Sequence, residues 1–124
     1  MKFLKSHEGN AYLLLRLVFG FLFACHGIGK TFGVLGQDRV AAGFTLDYLG
    51  TLIELVAGVL IFLGLFTRPA AFIASGEMAV AYFMVHARHS FFPIVNEGER
   101  AVIYCFVALF IATRGAGKLG FDRS

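Results

Sequence analysis

Residues 48–86 read YLGTLIELVAGVLIFLGLFTRPAAFIASGEMAVAYFMVH. Two apolar runs stand back to back here, split only by Thr67-Arg68-Pro69. Each is close to the roughly 20 residues a helix needs to cross the hydrocarbon of a membrane. Proline suits a first helical position, where its missing N–H would be unpaired anyway, so a helix is expected to restart at Pro69. A third run lies upstream and a fourth downstream, giving helices near 11–29, 48–66, 69–86 and 97–114. Asn96 followed by Glu99 reads as a capping box at the start of the last, and Gly115 and Gly117 close it. Short connections make neighbouring helices antiparallel. The long connection, 30–47, is glycine-rich and has room for a short interfacial helix. The expected fold is all-α, an integral-membrane antiparallel four-helix bundle filling one domain over 1–124.

Composition supports this. The chain has 124 residues, of which 58% are hydrophobic, and a mean hydropathy of +0.76. A soluble domain is about 45–50% apolar, and a chain this short cannot bury the excess in a core of its own. The net charge of +3 comes from basic residues at the ends of apolar runs, where head groups explain them. There is no basic patch interleaved with aromatics, so nucleic acid is not expected as a partner. The lipid bilayer is. Basic residues also set orientation. Lys2, Lys5, Arg16, Arg68, Arg114, Lys118 and Arg123 share the side of the termini, against Lys30, Arg39, Arg88 and Arg100 opposite. That puts both termini in the cytoplasm. Lys2, Lys5 and Leu22-Phe23-Ala24-Cys25 have the outline of a lipoprotein signal, but Arg16 breaks its apolar region and no cleavage is expected.

Charges within the runs are the informative residues, because an ionisable group inside a bilayer is costly and needs a partner or a purpose. Arg16 lies roughly 7 Å from the inner edge, Glu77 roughly 12–14 Å in, and Glu54 about 9 Å below the outer edge. His26 falls at a similar outer depth, with Lys30 and His86 at the outer ends. Glu77 must be protonated or paired, and Arg16 is the cation nearest to it in depth; alternatively Arg16 reaches the inner head groups or pairs with Glu54. Glu54, His26, Lys30 and His86 form a candidate outer polar cluster, in which a histidine beside a carboxylate can pass protons near neutral pH, as a bound quinone would require. The opposing reading is two interfacial histidines facing head groups. Haem between the two histidines has no further support, and no cysteine or histidine spacing suggests a metal. Cys25 and Cys105 are expected as free apolar thiols rather than a disulfide. Ala71, Ser75 and Ala79, with Ala57 and Gly58, read as helix-packing positions.

These residues together resemble the DoxX family of small bacterial membrane proteins. The likeness covers nearly the whole chain: Arg16-Leu17, Gly20, His26-Gly27 and Lys30; Glu54, Gly58 and Gly64-Leu65-Phe66-Thr67-Arg68; Ala81-Tyr82-Phe83, His86, Phe91-Phe92-Pro93, Asn96, Gly98-Glu99 and Tyr104-Cys105; then Gly115-Ala116-Gly117-Lys118. Leu119-Gly120 stands where the family commonly has an aromatic residue. The resemblance implies a four-helix protein of the bacterial cytoplasmic membrane. It also implies an association with redox systems, since the family takes its name from a subunit linked to quinol and thiosulfate:quinone oxidation, and some members stand beside soluble oxidoreductases. The expected role is a membrane subunit or quinone-interacting component of an oxidoreductase or stress-response system, partnered by a soluble oxidoreductase or by copies of itself. The competing role is a non-enzymatic scaffold or small-solute carrier. The sequence offers no nucleophile with a base and no nucleotide loop for catalysis by this chain alone.

Overall fold

The computed structural model describes residues 1–88, 90–96 and 98–122, without the side chain of Asn96. Every regular element among them is helical: α1 (Lys2–Ser6), α2 (Glu8–Phe32), α3 (Leu46–Leu63), α4 (Thr67–Ala81), a π-helical turn (Tyr82–His86) that continues α4, α5 (Pro93–Asn96) and α6 (Glu99–Arg114). Helices α2 and α3 are long and apolar enough to cross a membrane, and only 39% and 28% of their most apolar windows are buried. A core helix of a soluble protein would hide most of that surface. Large apolar side chains such as Val18, Phe21, Val56, Phe72, Ile73 and Phe106 are exposed instead, an exterior suited to lipid.

Small residues decide how the helices meet. A Cβ at Gly20 would lie 2.5 Å from the Phe62 nitrogen, one at Gly27 2.4 Å from that of Leu55, and one at Gly58 2.4 Å from that of Ala24. The α2 and α3 backbones therefore touch at three levels, and rising positions on α2 meet falling ones on α3, so the pair is antiparallel. Close approach of this kind is how helices gain contact where lipid removes the hydrophobic drive. Helices α4 and α6 form a second antiparallel pair. The Ser75 hydroxyl donates to the Cys105 carbonyl at 2.7 Å, and further along Arg68 Nη1 donates to the Thr113 carbonyl at 2.5 Å. Ala71 and Ser75 are buried on this seam. Contacts between α3 and α4 join the pairs around a core that includes Phe19, Phe23, Ile61, Ala74 and Ile111. Both Cys25 and Cys105 are free thiols.

Several boundaries differ from the sequence-based expectation. Helix α2 runs Glu8–Phe32, longer at both ends than 11–29, and stops where Gly33 turns left-handed. Helix α3 ends at Leu63 rather than 66, because Gly64 adopts φ 69° and its amide closes on Ile61 and Leu60. Only glycine suits that site: a Cβ would also lie 2.6 Å from the Gly120 Cα. Helix α4 begins at Thr67, which puts Pro69 in the first turn rather than at its first position, still without losing a hydrogen bond. At α6 the N-cap is Gly98 rather than Asn96; the side chain of Asn96, on which the expected capping box rests, lies outside the described residues. The expected start at Glu97 lies outside the described residues, as does Arg123 of the charge count. The connection 33–45 holds turns and bends but no helix.

Candidate functional site

The two ends of the helix pairs carry different chemistry. At the end shared by the start of α2 and the close of α6, polar groups are stitched together. Arg16 is buried to 1% exposure. Its guanidinium donates to the carbonyls of Lys118 at 3.0 Å, Phe62 at 3.3 Å, Leu119 at 3.4 Å, and Ala116. It pairs with neither Glu54 nor Glu77. The Tyr12 hydroxyl donates to the Gly115 carbonyl at 2.6 Å, and Arg68 covers the last carbonyls of α6, where a cation complements the helix dipole. Asp122 accepts from the Phe66 and Thr67 amides at 2.9 and 2.8 Å and so caps α4. Burial pushes the Asp122 carboxyl up, but those amides and the Arg16 charge outweigh it and hold its pKa below the ordinary 3.8.

The other five candidate residues come together at the opposite end. His26 and Lys30 on α2, Glu54 on α3, Glu77 on α4 and His86 on the π turn line one cavity of about 180 Å³, along with Gln37, Arg100 and Tyr104. Lys30 Nζ donates to both Glu54 oxygens, at 2.9 and 3.2 Å. The Glu54 side chain is 4% exposed and that of Lys30 32%, so the pair hides its anion and leaves its cation half open. Glu77 Oε2 is buried and has no hydrogen-bond partner among the described residues. The Tyr104 ring stands edge-on to His26, with centroids 6.2 Å apart.

The π turn contributes to this assembly. At 3.6 residues per turn, His86 would fall roughly half a turn round the axis from Glu77. The wider turn, marked by the Ala87 amide bonding to the Tyr82 carbonyl at 2.8 Å, winds less per residue and swings His86 back toward the cavity. Such insertions are common at functional sites. A second, larger cavity of about 510 Å³ reaches the same Lys30, Glu54, Glu77 and His86 from the groove between α3 and α4, past Leu49, Ile53, Val80 and Met84. Among the described residues, no group of three or more His, Cys, Asp or Glu could hold a metal.

Gln37, Arg100, Tyr104 and the π turn are lining features that sequence reasoning did not single out. Arg100 and Tyr104 carried one available signal: four residues apart on a helix, they share a face.

The DoxX family model matches residues 11–87, and the chain belongs to that family; it is a DoxX membrane protein. Among relatives, an uncharacterised protein of Haemophilus influenzae is 37% identical over 98% of this chain and 96% of its own length. A Bacillus subtilis protein named "Putative oxidoreductase CatD" is 28% identical over 89% of this chain and 83% of its own length. No solved structure matches the chain.

Proposed function

We propose that this protein is a quinone-interacting membrane component of an oxidoreductase or stress-response system. In this reading it is a multi-pass protein of the bacterial inner membrane, one domain whose four long helices all cross, with both termini cytoplasmic and the polar chamber toward the outer leaflet. The observation that carries the proposal is the chamber itself. A buried Glu54 paired to a partly open Lys30, a Glu77 oxygen with no hydrogen-bond partner among the described residues and two histidines meet where an apolar groove arrives. A quinone needs that combination: an apolar bed for ring and tail, and groups that exchange protons at its oxygens as it is reduced or oxidised. Imidazole and carboxyl groups do this near neutral pH. Electrons would come from a soluble oxidoreductase docked on the membrane. The name of the Bacillus relative leans the same way.

The self-contained Lys30–Glu54 pair also suits the alternative of a scaffold or small-solute carrier, in which the charges hold helices rather than serve a ligand. Extraction from native membrane in mild detergent, followed by mass spectrometry of what remains bound, separates the two. Stoichiometric quinone that is lost in Glu54→Gln, or a co-purifying oxidoreductase, is the expected result. A homo-oligomer carrying only bulk phospholipid would overturn the proposal.

A further inference from the structure

We infer that the groove between α3 and α4 is a lateral entrance from the lipid phase, through which the tail of a phenolic amphiphile passes while its head reaches Glu77. This rests on the quinone reading and adds a route and a recognition residue to it. Two cavities meet at the same polar floor, but they differ in their walls. The smaller is bounded by His26, Gln37, Arg100 and Tyr104, groups that suit water. The larger is walled by Leu49, Ile53, Val80, Met84 and Val85; of these, Leu49, Val80, Met84 and Val85 are exposed on the outside of the helices. At about 510 Å³ it falls within the range of small-molecule sites, roughly 300–1,000 Å³.

The head chemistry follows from what the floor lacks. Glu77 Oε2 has no hydrogen-bond partner among the described residues, and a ligand hydroxyl would supply one. Glu54 engages Lys30 Nζ through both its oxygens, and an ammonium has three protons, so one remains for an acceptor oxygen. A head with a donor at one place and an acceptor at another, on an apolar ring with an apolar tail, describes a quinol.

Two glycines make the groove what it is. A Cβ at Gly50 would lie 2.8 Å from Glu77 Oε1, so any side chain there displaces the carboxylate. Gly76 is the reverse: a Cβ there meets nothing within 4 Å. A side chain at Gly76, which lines the groove, therefore starts into open space, and leucine is the better helix former.

The test uses the full chain reconstituted in phosphatidylcholine vesicles, with photoreactive quinols that carry either a long isoprenoid tail or none. Thermal melts check that each variant is folded, with Gly76→Ala as the conservative control. The wild type should be labelled by both probes, in competition with unlabelled quinol. Gly76→Leu should lose labelling by the tailed probe at least tenfold and keep labelling by the tail-less one, which can arrive from the watery side. Gly50→Ala, which moves Glu77, should lose both. Equal loss of both probes in Gly76→Leu, or loss of neither, overturns the lateral entrance while leaving the quinone reading standing. If the wild type is labelled by neither probe, or excess quinol does not compete, the quinone reading fails and takes the entrance with it.

Discussion

Arg16 and Lys30 are both cations on α2, placed at opposite ends of it, and their surroundings differ in kind. Arg16 is enclosed by backbone carbonyls and meets no carboxylate within salt-bridge distance among the described residues. Its hydrogen-bond partners are the carbonyls of Phe62, Ala116, Lys118 and Leu119, three of them on the tail after α6, while its Nε has no partner among the described residues. Lys30 is held by a single carboxylate, is one-third open, and borders two cavities. A cation that satisfies several carbonyls serves the fold, because removing it strands them all. A cation poised against one carboxylate, beside a second with an oxygen that has no hydrogen-bond partner among the described residues, leaves chemistry available. The same helix thus carries a fastening toward one end and a candidate site toward the other.

The heaviest blow to this contrast is Arg16→Leu. It strands the buried Ala116 carbonyl and the part-buried carbonyls of Phe62, Lys118 and Leu119. A fully buried unsatisfied group costs about 1–3 kcal/mol and a part-buried one less, so a loss of about 3–5 kcal/mol in unfolding free energy is expected. A loss below about 1 kcal/mol would mean that Arg16 is not a fastening. Glu54→Gln comes next. With Lys30 partly solvated, about 1–3 kcal/mol is expected, together with complete loss of retained quinone. Destabilisation as large as that of Arg16→Leu would make the two ends alike. Gly20→Ala and Gly27→Ala probe the α2–α3 contact toward either end, and each should cost about 1–3 kcal/mol through overpacking. A cost at one glycine alone would show that helix spacing, and not polar content, separates the ends.

Acid sharpens the contrast further. Asp122 has a folded pKa below its unfolded one, so its contribution is present above the unfolded value and is lost as pH falls through the folded value. The wild-type melt should be insensitive to Asp122 from neutral pH to about pH 5 and weaken only below about 3.8. Asp122→Asn should lose that acid-side dependence, and an unchanged acid limb in the variant would assign the loss to another group. The smallest effect is expected from Ser75→Ala, far from the tail and outside the chamber lining, at about 0.5–1.5 kcal/mol for one hydrogen bond, with quinone retention untouched.

Helix content and the α3–α4 break were legible because long apolar runs and a Thr-Arg-Pro interruption are local signals. Depth along the helices made His26, Lys30, Glu54 and His86 a candidate cluster, with histidines facing head groups as the alternative, and the four line one cavity. Arg16 was not legible in the same way. Its partners are backbone carbonyls, which have no signature in side-chain identity, and most of them lie on the distant tail. Glu77 was matched by depth to Arg16, but depth says nothing about direction round a helix, and its side chain turns to the chamber. The π turn is equally silent, since nothing in Tyr82–His86 marks a change of winding. The closeness of α2 and α3 was half visible: Gly58 stood out, whereas the importance of Gly20 and Gly27 emerges only once their partners Phe62 and Leu55 are known.

The tail over Arg16 also has a consequence for how the protein is made. Arg16 and its partner Ala116 are 100 residues apart, and ribosomes add about 5–20 residues per second. The arginine therefore emerges about 5–20 s before the carbonyls that will enclose it are synthesised. During that interval the guanidinium needs other acceptors, such as water and lipid phosphates, and the tail replaces them when it arrives.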